Sequence, residues 1–160
     1  MSTQTALTVQ SIVTAWQGQN KKLDGMIAKY TDEQWMKETA PGRNTGIYLL
    51  GHLTAVNDGL LSILGFSDKL YPQLENIFLF NSDKAGLEMP SVAELKACWH
   101  KVNTNLDAYM SKMQPEDWFT KHSKISEEDF AKEPHRNKLS VLITRTVHQS
   151  YHLGQLAYLG

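Results

Sequence analysis

Four stretches of the chain repeat apolar residues at three- and four-residue steps, the spacing that aligns side chains on one face of an α-helix. These stretches cover about residues 7–30, 45–64, 91–113 and 140–159. No stretch of comparable length alternates apolar and polar residues as a half-buried β-strand does. The pattern therefore predicts an all-α protein, built as a four-helix bundle in which each apolar stripe faces a common core.

Capping residues mark where several of these helices begin and end. Ser91 is followed three residues later by Glu94, which predicts a capping box at the start of the third helix, and Pro115 predicts its end. Ser140 is a suitable N-cap for the fourth helix, since its hydroxyl can accept a hydrogen bond from a free amide of the first turn. The sequence TDEQW at residues 31–35 predicts a further short helical turn.

Two connections, at residues 66–90 and 114–139, are long for a compact bundle. Such connections usually cross the bundle, cover a site or form the wall of a pocket, and a crossover that covers the core is the simplest interpretation of the first. Its apolar segment Leu74–Phe80 is either a short helix or an extended stretch, because periodicity does not separate the two at that length. The second connection contains His122 and His135, which are metal ligands only in principle because a loop does not define their geometry.

The fourth helix carries two histidines on the face that its pattern predicts to be buried. That face comprises Val141, Thr144, Val147, His148, Tyr151, His152, Gln155, Leu156 and Leu159. Residues four apart lie one above the other on a helix, so His148 and His152 can direct ring nitrogens at one point, as two ligands of a metal ion must. A histidine on an apolar face is more often a hydrogen-bonded core residue, and the spacing alone leaves both interpretations open.

The second helix carries His52 on the flank of its apolar stripe. Taken alone, this histidine is most simply interpreted as structural. If it joined His148 and His152, three neutral nitrogens would leave a coordination position open, as in catalytic metal sites. Zinc, nickel or ferrous iron would suit such ligands. Gly59, seven residues after His52, would allow the close approach of another element because it has no side chain.

Composition and charge exclude several classes of function. The chain has 160 residues, the length of one domain, and a formal net charge of -1 without a basic run, so we expect no nucleic-acid partner. No apolar run reaches the roughly 18 residues of a membrane span, and the N-terminus does not resemble a signal peptide. Cys98 is the only cysteine, which fits a small buried residue in a cytoplasmic protein.

Two motifs resemble those of the DinB-like (DinB/YfiT-like) family of metalloenzymes. They are GHLTAVND at residues 51–58 and HQSYHLGQLAYL at residues 148–159. The family carries one histidine on its second helix and an HxxxH pair on its fourth, followed by LGQL or a similar sequence. The resemblance implies a single domain over residues 1–160, folded as an up-down-down-up four-helix bundle with long crossover loops. It also implies a metal triad formed by His52, His148 and His152.

The resemblance implies a metal-dependent enzyme with a small-molecule substrate, acting either by transfer of a low-molecular-weight thiol or by hydrolysis. Many members have Glu where this chain has Gln149. Because Gln cannot take up a proton, a peptidase mechanism of the HExxH type is disfavoured. The resemblance assigns no catalytic residue. An alternative is a non-catalytic helical bundle that binds metal or responds to stress and acts in protein interaction, for instance as a homodimer.

Three further polar residues lie near the predicted triad. Tyr151 and Gln155 flank the histidine pair of the fourth helix and are either core residues or contacts to ligand histidines or substrate. Asp58 follows His52 by six residues and is a candidate to orient an imidazole from across the bundle.

Overall fold

The computed structural model describes residues 2–160 and is predominantly helical. The α-helices are α1 (Thr3–Lys29), α2 (Asp32–Trp35), α3 (Gly46–Ile63), α4 (Leu74–Phe78), α5 (Val92–Met110), α6 (Glu127–Lys132) and α7 (Lys138–Leu156). Short 3-10 turns occupy Asp83–Ala85, Pro115–Phe119 and Ala157–Leu159. Within residues 2–160, β-pairing is limited to two isolated bridges, so the predicted all-α class is confirmed. No helix in this range is long and apolar enough to cross a bilayer.

The four long helices α1, α3, α5 and α7 follow an up-down-down-up course, which the two ends of the core reveal. One end is formed by residues that include Leu23, Leu50, Leu95 and Leu156. The other end is formed by residues that include Trp16, Leu60, Leu106 and Leu142. Residue numbers therefore rise in one direction along α1 and α7 and in the opposite direction along α3 and α5. Because α3 and α5 are parallel, the chain between them must run back along the bundle.

The cap of α5 agrees with the prediction, whereas the cap of α7 does not. Ser91 Oγ accepts a hydrogen bond from the amide of Glu94 at 3.2 Å, and the Glu94 carboxylate accepts one from the amide of Ser91 at 2.8 Å. The fourth helix begins at Lys138, and its cap is Asn137, whose side chain accepts from the amide of Ser140 at 3.0 Å. Ser140 was the wrong cap because the helix begins almost one turn earlier.

The buried face of α7 also differs from the predicted one. Its buried residues are Leu139, Leu142, Gln149, Leu153 and Leu156. Val147 and Tyr151, which the pattern placed in the core, are each 65% exposed. The helix is therefore rotated so that His148 and His152 lie at the edge of the core rather than in its middle.

The first long connection packs a short helix against α3. Its apolar segment forms helix α4, and Phe78 at the end of α4 is completely buried. The close approach occurs at Gly51, where a methyl group would collide with the Phe78 ring. No element approaches Gly59 in this way, although its missing side chain would allow it, since a Cβ atom there would have nothing within 4 Å. The connection thus covers the core, as the simplest interpretation held.

We expect replacement of Gly51 by Ala to lower the free energy of unfolding by about 1–3 kcal/mol, because the added methyl overpacks a buried contact. Gly59→Ala is the matched control in the same helix. It adds a methyl into open space and is expected to be neutral or to stabilise by up to about 1 kcal/mol, since Ala has the higher helix propensity. Urea denaturation of both variants measures the difference, and equal effects would contradict the packing described here.

Candidate metal centre

Helices α3 and α7 bring His52, His148 and His152 together at one side of the bundle. The Nε2 atom of His148 lies 3.2 Å from Nε2 of His52 and 3.1 Å from Nε2 of His152. The ligand atoms of the three residues all lie within 4.8 Å of one another. In a tetrahedral site with metal–nitrogen bonds of about 2.0–2.1 Å, two ligand nitrogens are about 3.3 Å apart. The three imidazoles therefore have the spacing of ligands to one ion.

Hydrogen bonds on the far side of two rings define which nitrogen faces the centre of the cluster. His52 Nδ1 lies 2.9 Å from the carbonyl oxygen of Phe78, and His152 Nδ1 lies 2.6 Å from Oε1 of Gln155. A carbonyl or amide oxygen only accepts, so each Nδ1 carries the proton. In neutral rings this leaves a lone pair on Nε2 of both residues, which is the form that binds a metal ion.

His148 completes the cluster from between the other two histidines. Its Nδ1 is buried and has no hydrogen-bond partner among the residues that the structure describes. Its Nε2 faces two lone pairs, but a single proton on this atom makes a well-aligned hydrogen bond to one acceptor at a time. A cation at the centre would satisfy all three Nε2 atoms, whereas hydrogen bonding alone leaves one of the two lone pairs that face His148 unpaired. The donor set therefore fits a divalent ion.

The surroundings keep the three imidazoles neutral near pH 7. Burial lowers the pKa of His52 and of His152 below the ordinary value. It also lowers the pKa of His148, and together with the charges of His152, His52 and Arg145 it brings that value to about 4. Coordination requires neutral imidazole, so the cluster is ready to bind metal without first losing protons.

Gln149 does not face the histidine cluster. Its side chain is buried, and its Nε2 donates to Oδ1 of Asn20 at 2.9 Å. Nearby, Asn57 donates to Oδ1 of Asn103 at 2.9 Å, and its Nδ2 lies 3.5 Å from Oε1 of Gln149. The residue that stands in place of the family's Glu thus belongs to a cluster of amide side chains in the middle of the bundle.

Asp58, the candidate to orient an imidazole, binds backbone amides instead. Its carboxylate accepts hydrogen bonds from the backbone amides of Leu70 and Tyr71, each at 2.8 Å. Asp58 is buried and anchors the start of the long connection to α3. These two backbone amides bind the carboxylate, and no hydrogen bond joins it to a histidine of the described residues.

The residues flanking the pair on α7 differ from each other. Gln155 holds His152 by the hydrogen bond described above. Of its two possible roles, core residue or contact to a ligand histidine, the second is therefore correct. Tyr151 is 65% exposed, which rules out core packing, and its ring centroid lies 5.1 Å from that of His152. The loop histidines His122 and His135 lie outside the cluster.

Two features of the site escaped the sequence analysis. The carbonyl of Phe78 positions His52, but a backbone carbonyl leaves no signal in a sequence. Arg145 lies on α7 three residues before His148 and reaches the same side of the helix. An arginine one turn before an HxxxH pair is a signal that the sequence does carry.

A cavity of about 470 Å³ adjoins His52 and His148. Its apolar wall includes Val56 and Ile63 of α3 and Leu79 after α4, so the long connection forms part of a pocket as well as covering the core. A volume of this size is that of a small-molecule site. The histidine cluster therefore has space for a small ligand beside it.

Comparison with models of protein families matches residues 15–156 to the DinB superfamily. The chain belongs to the DinB superfamily. The matched region contains the first motif, all but the last three residues of the second, and all three clustered histidines, which confirms the resemblance seen in the sequence. No curated protein shows a significant match to the chain.

We expect the metal-free form of this DinB superfamily protein to lose stability as the pH falls from about 6.5 toward 4. An imidazole in the unfolded chain has a pKa of about 6.5, whereas that of His148 in the folded chain is about 4. Between these values the unfolded state binds more protons, so the free energy of unfolding falls with the pH, while above about pH 6.5 the effect vanishes. Urea denaturation in the presence of a chelator, repeated over this range, measures it.

The control for this prediction is a comparison of two histidine variants, since carboxylates also titrate in the lower part of the range. His148→Gln is expected to flatten the pH dependence relative to the unmodified protein. His135→Gln, at an exposed position outside the cluster, is the control for the removal of a histidine elsewhere in the chain. Identical profiles for His148→Gln and the unmodified protein would contradict the effect of burial on His148.

Proposed function

We propose that this DinB superfamily protein is a metal-dependent enzyme in which His52, His148 and His152 bind one divalent ion through their Nε2 atoms. The observation that carries the proposal is the convergence of these atoms, two of them 3.2 Å and 3.1 Å from the third. Hydrogen bonds from Nδ1 to Phe78 and Gln155 support it, because they leave metal-binding lone pairs directed at the centre. Zinc, nickel and ferrous iron suit three imidazole ligands.

Three protein ligands leave a coordination position for a reacting group, and the cavity beside His52 and His148 supplies the space for it. When bound, the ion would supply a Lewis acid that lowers the pKa of a coordinated water or thiol. The backbone carbonyl of Phe78 and the side chain of Gln155 hold the rings of His52 and His152 in place for this role.

Of the two reaction classes considered, transfer of a low-molecular-weight thiol to an electrophilic substrate is favoured over hydrolysis. Among the described residues that line the cavity, Glu75 is the one carboxylate, and it is paired with Lys69. No carboxylate is therefore available there as a general base for water. A thiol, with an ordinary pKa of about 8.5, needs less help than water to become a nucleophile.

We expect protein loaded with zinc or nickel and then desalted to retain about one ion per chain, measured by inductively coupled plasma mass spectrometry. Replacing His52, His148 or His152 by Ala should reduce this to a small fraction, because two imidazoles hold an ion far less firmly than three. His100→Ala, which alters an exposed histidine of α5, should retain the full content. Circular dichroism verifies that each variant is folded. Unmodified protein that retains no ion would refute the proposal.

The reaction class is tested with the metal-loaded protein and a panel of small thiols and electrophilic substrates. Thiol consumption that requires both the ion and His148 would support thiol transfer. Turnover of ester or amide substrates without any thiol would instead indicate hydrolysis. Stoichiometric metal without turnover of either kind would favour the non-catalytic alternative.

One observation favours self-association as a second candidate function. Ile143, Val147 and Tyr151 follow one another at four-residue steps on α7 and are 42%, 65% and 65% exposed. Single exposed apolar residues are common, but an aligned row of three on one helix is typical of a surface that packs against another chain.

If α7 pairs two chains, light scattering during size-exclusion chromatography should give the mass of a homodimer. Val147→Glu should then shift the protein to the monomer, because it introduces a charge into the middle of the apolar row. Thr8→Glu, on the exposed part of α1, is the control and should leave the mass unchanged. A monomeric unmodified protein at high concentration would exclude this candidate.

A further inference from the structure

Of the three arginines of the chain, Arg145 is the one that is neither paired with a carboxylate nor exposed to solvent. Arg136 pairs with Glu133 at 2.9 Å, and Arg43 is exposed to solvent. Arg145 is half-buried, its Nε is buried without a hydrogen-bond partner, and no carboxylate of residues 2–160 lies within ion-pair distance of it. A charge withdrawn from water without a partner is costly, so an unpaired arginine in this position calls for a ligand.

The position of Arg145 connects it to the histidine cluster. It lies one helical turn before His148 and lines the cavity that also borders His52 and His148. A molecule held by Arg145 in this cavity would therefore extend toward the three imidazoles.

The charges and the shape of the cavity point to the same kind of ligand. Lys69 and Glu75 neutralise each other across the wall, whereas Arg145 and the exposed Lys124 remain as net positive charges. The rest of the lining is largely apolar, and the volume of about 470 Å³ suits a molecule of modest size. An acid with an apolar body matches both properties.

We propose that the cavity binds a small organic acid whose carboxylate or phosphate group is held by the guanidinium of Arg145. The planar fork of an arginine presents two parallel N–H donors, which match two oxygens of either group. The apolar body of the acid lies against Val56, Ile63 and Leu79. As a statement about the substrate this rests on the proposed function, since it places the acid beside the metal-binding histidines. The binding step itself depends on Arg145.

Isothermal titration of metal-free protein with benzoate, phenyl phosphate and neutral benzamide tests the proposal. At least one of the two acids is expected to bind with a saturable isotherm, and benzamide much more weakly. The comparison of benzoate with phenyl phosphate identifies which anionic group the site prefers. Because no metal is present, direct coordination of the acid to an ion cannot produce the signal.

Arg145→Gln is expected to weaken binding of the preferred acid on the order of tenfold or more, the loss typical of a charge-assisted hydrogen bond. Arg145→Lys keeps the charge but not the fork and should bind with intermediate affinity. Arg43→Gln removes the same charge from an exposed position outside the cavity and should bind like the unmodified protein. Equal affinity of the Arg145→Gln and unmodified proteins, or no saturable binding of either acid, would overturn the proposal.

A measurement on the unmodified protein covers the case in which the variants do not fold. Titration with the preferred acid should shift the nuclear magnetic resonance signal of Arg145 Nε while that of Arg43 stays in place, and the reverse would refute the site.

Metal content separates the proposed acid site from the proposed metal site. Arg145→Gln should retain the full metal content, so a variant that loses acid binding but keeps its metal shows that the acid depends on Arg145. If the unmodified protein binds the acid but no metal, the metal site proposed above is refuted and the acid site is not.

Discussion

Hydrogen bonds among buried amide side chains in the middle of the bundle determine how α7 is turned about its own axis. Gln149 is 1% exposed and bonds to Asn20 of α1, while Asn57 of α3 bonds to Asn103 of α5. Each buried amide left without a partner would cost about 1–3 kcal/mol, so rotations of α7 that turn Gln149 away from the centre are strongly disfavoured. With Gln149 directed inward, His148 and His152 lie at the edge that faces α3, where His52 meets them.

The connection between α3 and α5 determines the other half of the site. Because these helices are parallel, the chain must return along the bundle, and α4 packs on α3 during that return. The absence of a side chain at Gly51 makes room for the Phe78 ring, and the backbone carbonyl of Phe78 holds His52 by a hydrogen bond. One local packing arrangement thus covers the core, orients a histidine and forms a wall of the adjoining cavity. Core stability and the geometry of the site depend on the same contact.

The helices were predictable because their signals are repeated over many residues, but the rotation of α7 was not. Its pattern allowed a stripe through Val147 and Tyr151 as well as one through Leu142 and Leu153. The true buried face has the polar Gln149 at its centre, which weakens its apolar signal. The resemblance to the DinB-like family supplied the three histidines that the structure brings together. It could not supply the unpaired state of Arg145, which depends on where every acidic side chain of the fold lies.

The sequence by itself determined the features that depend on residues within a few positions of one another. These are the helical stretches, the capping box of Ser91 and Glu94, and the four-residue spacing of His148 and His152, since helix geometry acts over one or two turns. Only the tertiary structure decided that His52 meets His148 across 96 residues of sequence. It likewise decided which ring nitrogen of His52 carries the proton, because the carbonyl responsible comes from a different helix. Such contacts depend on the packing of distant segments, which local patterns do not encode.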